Sequence, residues 1–139
     1  YGTGVTGATA TLTTVNDNAK ILCITMVSWM HADNDSGFMT LLYSVDGAAD
    51  ALAFTGTQTG NGSDANIGIR WGFNYIPATS CYVNQETHSS TAGETIAYKQ
   101  VFWCYPSDAQ TLWINRAGVT PNAYKPAAAI CSIQLFELA

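Results

Sequence analysis

The chain has 139 residues, of which 47% are hydrophobic and only 11% charged, and its formal net charge is −5. That length supports one well-buried core and is short for two ordinary domains, so residues 1–139 are read as a single domain with residues 1–7 as an extended N-terminal arm. The five basic residues, Lys20, Arg70, Lys99, Arg116 and Lys125, are scattered through an acidic chain, which argues against nucleic acid and anionic membranes as partners.

The ordered-looking runs are rich in Thr, Ile, Val and aromatic residues, and Thr alone occurs seventeen times. Branched and aromatic side chains suit a pleated surface, so strands are expected. Residues 8–15 form the first weak candidate, closed by the turn Asn16-Asp17-Asn18. Residues 20–30 follow, apolar on both faces, as in a strand covered on two sides. After the polar turn at 33–37 come a strand over 38–45, the turn Asp46-Gly47, a weak strand over 51–57 and the turn Gly60-Asn61-Gly62. Over 67–75, Ile67, Ile69, Trp71, Phe73 and Tyr75 alternate with Gly68, Arg70, Gly72 and Asn74, a period of two that puts the large groups on one face. Residues 80–84 are another weak strand, and Ala92-Gly93 leads into residues 95–105, again apolar on both faces.

Beyond Pro106-Ser107-Asp108, Leu112 and Ile114 alternate. Cys131, Ile133 and Leu135 do so after a loop containing Gly118, Pro121 and Pro126. The Ala-rich stretches 47–52 and 126–130 could each form one helical turn, but neither sustains a 3.6-residue period. Strands with turns at this spacing form a sandwich or barrel. The expected fold is all-β, an antiparallel jelly-roll-type β-sandwich of about eight strands with Leu22, Ile24, Ile69, Val101, Ile114 and Ile133 in its core.

The chain offers little chemistry. A nucleophilic set can be drawn from Cys81, His88 and Glu86, but His88 stands in a Ser/Thr-rich stretch that reads as an exposed loop, and nothing local activates a thiol. His31, at a strand end, reads the same way. No catalytic residue is expected. Asp33-Asn34-Asp35-Ser36-Gly37 has oxygen ligands in alternation, yet the glycine and glutamate of a calcium loop are missing. Gly60-Asn61-Gly62-Ser63-Asp64 lacks the lysine and helix of a phosphate loop.

Cys23, Cys81, Cys104 and Cys131 form no Cys-x-x-Cys pair, so no metal site and no cofactor are expected. Cys23, Cys104 and Cys131 lie in apolar runs as buried thiols, with disulfides open if the chain matures in an oxidising compartment. No apolar run reaches the ~18 residues of a membrane-spanning helix, so no membrane insertion is expected. The aromatics carry the functional interest, because their flat apolar faces and polar edges suit both protein interfaces and sugar stacking. Trp29 and Trp103 read as core or inter-subunit residues, and Trp71, Tyr75, Trp113 and Tyr124 are the ligand or interface candidates.

Three C-terminal segments carry a resemblance. Ile96-Ala97-Tyr98-Lys99-Gln100-Val101-Phe102-Trp103, then Thr111-Leu112-Trp113-Ile114-Asn115-Arg116, then the end Ile133-Gln134-Leu135-Phe136-Glu137-Leu138-Ala139 resemble the closing strands of small jelly-roll domains in bacteriophage fibre, appendage or decoration proteins of marine-phage type. Residues 16–30 and 41–47 are similar to the polar turn, central strand and Asp-Gly hairpin of those domains. Residues 54–66 match nothing in them. Sandwiches of this kind also occur in trimeric proteins similar to the C1q and tumour-necrosis-factor group.

The resemblance implies a non-enzymatic virion structural protein, assembled as a homo-oligomer, a trimer by analogy, in contact with other virion proteins and with a host surface glycan as an optional partner. The low charge agrees with it. A charged fraction less than half the usual ~25% leaves too few polar groups for a surface that meets only water. The alternatives are a secreted or surface-displayed lectin-like module, presenting aromatics and residues 54–66 to a glycan, and a filament-forming bacterial surface protein.

Overall fold

The computed structural model describes residues 5–31, 36–53, 67–70, 78–105, 112–114 and 131–139. Among them are nine strands and no helix: β1 (Val5–Thr13), β2 (Lys20–His31), β3 (Ser36–Val45), β4 (Ala51–Leu52), β5 (Ile67–Arg70), β6 (Ala78–Thr87), β7 (Thr95–Tyr105), β8 (Leu112–Ile114) and β9 (Ser132–Leu138). The Ala-rich stretch 47–52 is turn, irregular chain and β4 rather than a helical turn, and 126–130 lies outside the described residues.

All pairings are antiparallel and fall into two sheets. In the five-stranded sheet β7 is flanked by β1 and β3, and the other edge of β3 is shared by β5 at Ser36–Met39 and β4 at Leu42 and Tyr43. In the four-stranded sheet β2 takes β6 along one edge and β9 and β8 in succession along the other. Of these neighbours only β3 and β4 are consecutive in the chain, which passes from one sheet to the other after β1, β2, β5, β6 and β7.

The sheets pack face to face as a sandwich. From the four-stranded sheet come Ile21, Cys23 and Val27. Met39, Leu41, Ile96, Tyr98 and Phe102 meet them from the five-stranded sheet, and Ala19, Ala53 and Cys131 close the rim. Apolar area withdrawn from water between such faces is the main stabilising term, about 25 cal/mol per Å².

The inward face of β2 is therefore the odd-numbered one, which corrects the expected core. Leu22 and Ile24 are only half-buried, on the outer face, and Ile133 is half-buried against the core. Val101 is buried as expected, with its register partner Thr40, so the five-stranded sheet is covered on both faces there. The burial of Ile69 and Ile114, in β5 and β8, lies outside the described set. The parity error has a physical cause. Both faces of β2 are apolar, and the outward Leu22, Ile24 and Met26 are if anything more hydrophobic than the inward Cys23 and Thr25, so only the partner sheet decides.

Two local features shape the sandwich. Asp46 and Gly47 both have positive φ, 49° and 76°, and the Ala48 amide donates to the Val45 carbonyl at 2.9 Å. This is the geometry of a type I′ turn, which Asp-Gly favours. In β1 the register shifts between Thr6 and Thr9. A Cβ on Gly7 would sit 2.4 Å from Phe102 Cε2 and 3.0 Å from Gln100 Oε1, so only glycine allows this close approach.

The bulge frees the Ala8 amide to donate to Gln100 Oε1 at 3.2 Å. Gln100 is 0% exposed. Its Nε2 donates across the interior to Thr25 Oγ1 at 2.6 Å and the Met26 carbonyl at 2.9 Å, with the Ser132 carbonyl at 3.3 Å. One buried amide thus joins β1 and β7 to β2 and β9. A buried polar group is tolerated on that condition, because leaving it unpaired would cost about 1–3 kcal/mol.

Candidate functional site

The outer face of the four-stranded sheet departs most from an ordinary solvated surface. Cross-strand register sets Leu22 between Gln85 and Phe136, Ile24 between Val83 and Gln134, and Met26 between Cys81 and Ser132. Val83 is 57% exposed, Phe136 47% and Met26 41%. At one end Lys20 lies between Thr87 and Leu138, and it is the one charge on this face among these residues. Gln85, Thr87, Ser132 and Gln134 share this face, but Val83 and Phe136 point outward among them, while the charges Glu86 and Glu137 stand on the opposite parity.

Glu137 instead holds one end of the sandwich together. Its carboxylate accepts from the Val15 amide at 2.6 Å, the Asn16 amide at 2.8 Å and Asn16 Nδ2 at 2.9 Å. These bonds, the Val15 amide first, hold its carboxyl below the usual glutamate range. The same end is stitched by Asn18 N to the Ser90 carbonyl, Ala19 N to Ser90 Oγ, Ala92 N to Asp17 Oδ1, and Thr14 Oγ1 to the carbonyls of Thr91 and Glu94. Asn18 adopts φ of 52°, which asparagine tolerates in turns.

Beneath that end lies His88. The expectation of an exposed loop histidine is corrected: His88 is 2% exposed. Its amide donates to the Ala19 carbonyl at 2.9 Å, and its side chain continues the inward parity of Tyr82, Asn84 and Glu86. The ring packs 4.4 Å from Tyr43 and 5.6 Å, edge to face, from Tyr98, centroid to centroid. Nε2 shares a 2.5 Å hydrogen bond with Tyr98 Oη, and Nδ1 has no partner among the described residues. Burial depresses the imidazole below its ordinary range; burial first, then the Glu86 carboxylate, raises the Tyr98 phenol. Extending the β6 alternation past residue 84 would have found this histidine.

The set Cys81, His88 and Glu86 is not assembled, since Cys81 is exposed on the outer face and His88 is inside. Cys23 and Cys131 are buried thiols as expected. Burial pushes Cys23 up to about 12, and Cys131 Sγ accepts from the Ser28 amide at 3.2 Å. Among the described residues no group of three or more His, Cys, Asp or Glu is placed to hold a metal. Residues 33–35 and 60–64 lie outside the described residues; Ser36 and Gly37 open β3. Of the aromatic candidates, Trp71, Tyr75 and Tyr124 lie outside the described residues. Trp113 stands in β8 in register with Met30, its side chain outside the described set, as are those of Trp29, His31, Trp103 and Cys104. The structure thus leaves these candidates unplaced and brings forward Leu22, Ile24, Met26, Val83 and Phe136, whose outward position a strand apolar on both faces conceals.

No family model, curated protein or solved structure matches this chain.

Proposed function

We propose that this chain is a non-enzymatic structural subunit of a virion, a jelly-roll-type sandwich of a fibre, appendage or capsid decoration that assembles into a closed homotrimer and meets other virion proteins. The observation that supports the assembly is the outer face of the four-stranded sheet, where Leu22, Ile24, Met26, Val83 and Phe136 lie together with Lys20 as the one neighbouring charge among the described residues. A face of this composition gains free energy when another apolar surface covers it. The resemblance of the closing strands supports the virion setting, with Trp71, Tyr75, Trp113 and Tyr124 as interface or glycan-stacking positions.

Light scattering on the purified chain tests the assembly. The expected mass is three chains, and Val83→Asp combined with Phe136→Asp should return it to one chain with the circular dichroism spectrum unchanged, because both positions are already open to solvent. A wild-type protein with the mass of a single chain at micromolar concentration would refute the proposal.

A further inference from the structure

The proposed assembly makes no use of His88, which lies inside the sandwich and away from the outer face of the four-stranded sheet. We propose that His88 is an acid-sensitive switch that opens the end of the sandwich formed by residues 14–19 and 88–94. A neutral imidazole has one N–H donor and one bare acceptor. Here Nε2 is engaged with Tyr98 Oη, while Nδ1 is buried without a partner among the described residues. Protonation makes both nitrogens donors and adds a charge beside the rings of Tyr43 and Tyr98. Whichever tautomer the neutral ring adopts, the imidazolium holds an Nδ1–H with no acceptor among the described residues and a charge on a side chain only 2% exposed, so protonation favours the ring outside.

The titratable groups around it do not relieve this. Tyr98 on β7 and Tyr43 on β3 pack beside the ring. Beside Tyr98 stand Cys23 on β2 and the half-buried Glu86 carboxylate on β6. Glu86 carries the nearby negative charge, yet it forms no hydrogen bond with Nδ1.

The way out is through the turns above. His88 is backbone-bonded to Ala19, and two residues later Ser90 holds Asn18 and Ala19. Expelling the ring strains these bonds together with the Ala92 to Asp17 bond. The core strands, anchored by Leu41 and Phe102, remain closed.

The direction with pH comes from the buried neutral form. Closure is complete above the ordinary histidine value of ~6.5 and is lost as pH falls below it, by up to about tenfold in the opening equilibrium per pH unit for a single group. Glu137, whose carboxyl is held low, loses its stabilising effect only below the usual glutamate range of ~4.3, so the two groups act in separate windows.

Amide hydrogen exchange, corrected for the intrinsic rate at each pH, tests the switch between about pH 7 and about pH 5, the span in which histidine titrates. In the wild type, Thr14, Asn18, Ala19, His88 and Gly93 should lose at least tenfold in protection while Leu41 keeps its own. His88→Gln, which cannot take the proton, should hold the first group unchanged over the same span. Equal losses in His88→Gln, or wild-type protection that does not fall, would overturn the proposal. Should His88→Gln fail to fold, ring titration of wild-type His88 by NMR decides: a midpoint below the ordinary value, tracking the loss of protection, supports the switch, and an ordinary midpoint without that loss overturns it.

Discussion

Replacing Gln100 by methionine removes the inter-sheet hydrogen bonds and nearly preserves volume, which isolates the polar contribution from any cavity term. Gln100 Nε2 donates to Thr25 Oγ1 and to the Met26 carbonyl, and its Oε1 accepts from the Ala8 amide. Thr25 Oγ1 keeps a second partner in the Ser132 carbonyl, at 3.2 Å. The groups stranded in Gln100→Met are therefore mainly the Ala8 N–H and the Met26 carbonyl. At about 1–3 kcal/mol for each buried group left unpaired, the loss should be about 2–6 kcal/mol, against a typical total stability of ~5–15 kcal/mol. Urea unfolding followed by tryptophan fluorescence and far-ultraviolet circular dichroism gives the number if the two probes coincide. Thr25→Val in the same background completes a double-mutant cycle, and the double variant should cost less than the two single losses added, because the Gln100–Thr25 bond is shared. A Gln100→Met midpoint within ~0.5 kcal/mol of wild type, the range of ordinary surface substitutions, would refute the reasoning.

Two further outcomes concern groups at the edges of the core. Glu137→Gln should lower the melting temperature at neutral pH, because a neutral amide accepts the Val15 and Asn16 amides less strongly than a carboxylate. Since the native carboxyl is held low, its stabilisation is present above the usual glutamate range and disappears as pH falls through its native value, so the gap between variant and wild type should close in acid. A gap that stays constant would count against the latch. In a Cys104→Ser background, a thiol reagent at mildly alkaline pH should label Cys81 at once and reach Cys23 and Cys131 only on unfolding. Cys81 is exposed and the other two are buried, with Cys23 pushed up to about 12. Three thiols reacting at similar rates would contradict the burial.

The strands were legible where sequence pattern and backbone chemistry agree. β7 runs over the residues expected, 95–105, because a run rich in branched and aromatic residues between Ala92-Gly93 and Pro106 leaves few other boundaries. Asp46-Gly47 makes the tight turn its residues favour. What the sequence concealed depends on partners distant along the chain. Nothing within residues 20–30 records that Ile21, Cys23 and Val27, rather than Leu22, Ile24 and Met26, meet the other sheet. Gln100, next to Lys99, reads as a polar break in an apolar strand until Thr25 and the Ala8 amide arrive from elsewhere. His88 was hidden by its neighbours, since Ser89, Ser90 and Thr91 look solvated while Ser90 Oγ is spent on the Ala19 amide.

The pairing of β9 with β2 has a kinetic consequence. Lys20 lies opposite Leu138, so this edge of the four-stranded sheet cannot form until residue 138 has been synthesised. The strand nearest the start of that sheet must wait beside an open edge for the last one. Closing such long loops before any contact rewards them places folding in the slow regime of all-β sandwiches, about milliseconds to seconds. During that wait β2 presents Leu22, Ile24 and Met26 without the cover of β9. Nascent chains crowded on one messenger would then be most exposed to pairing with each other instead of with themselves.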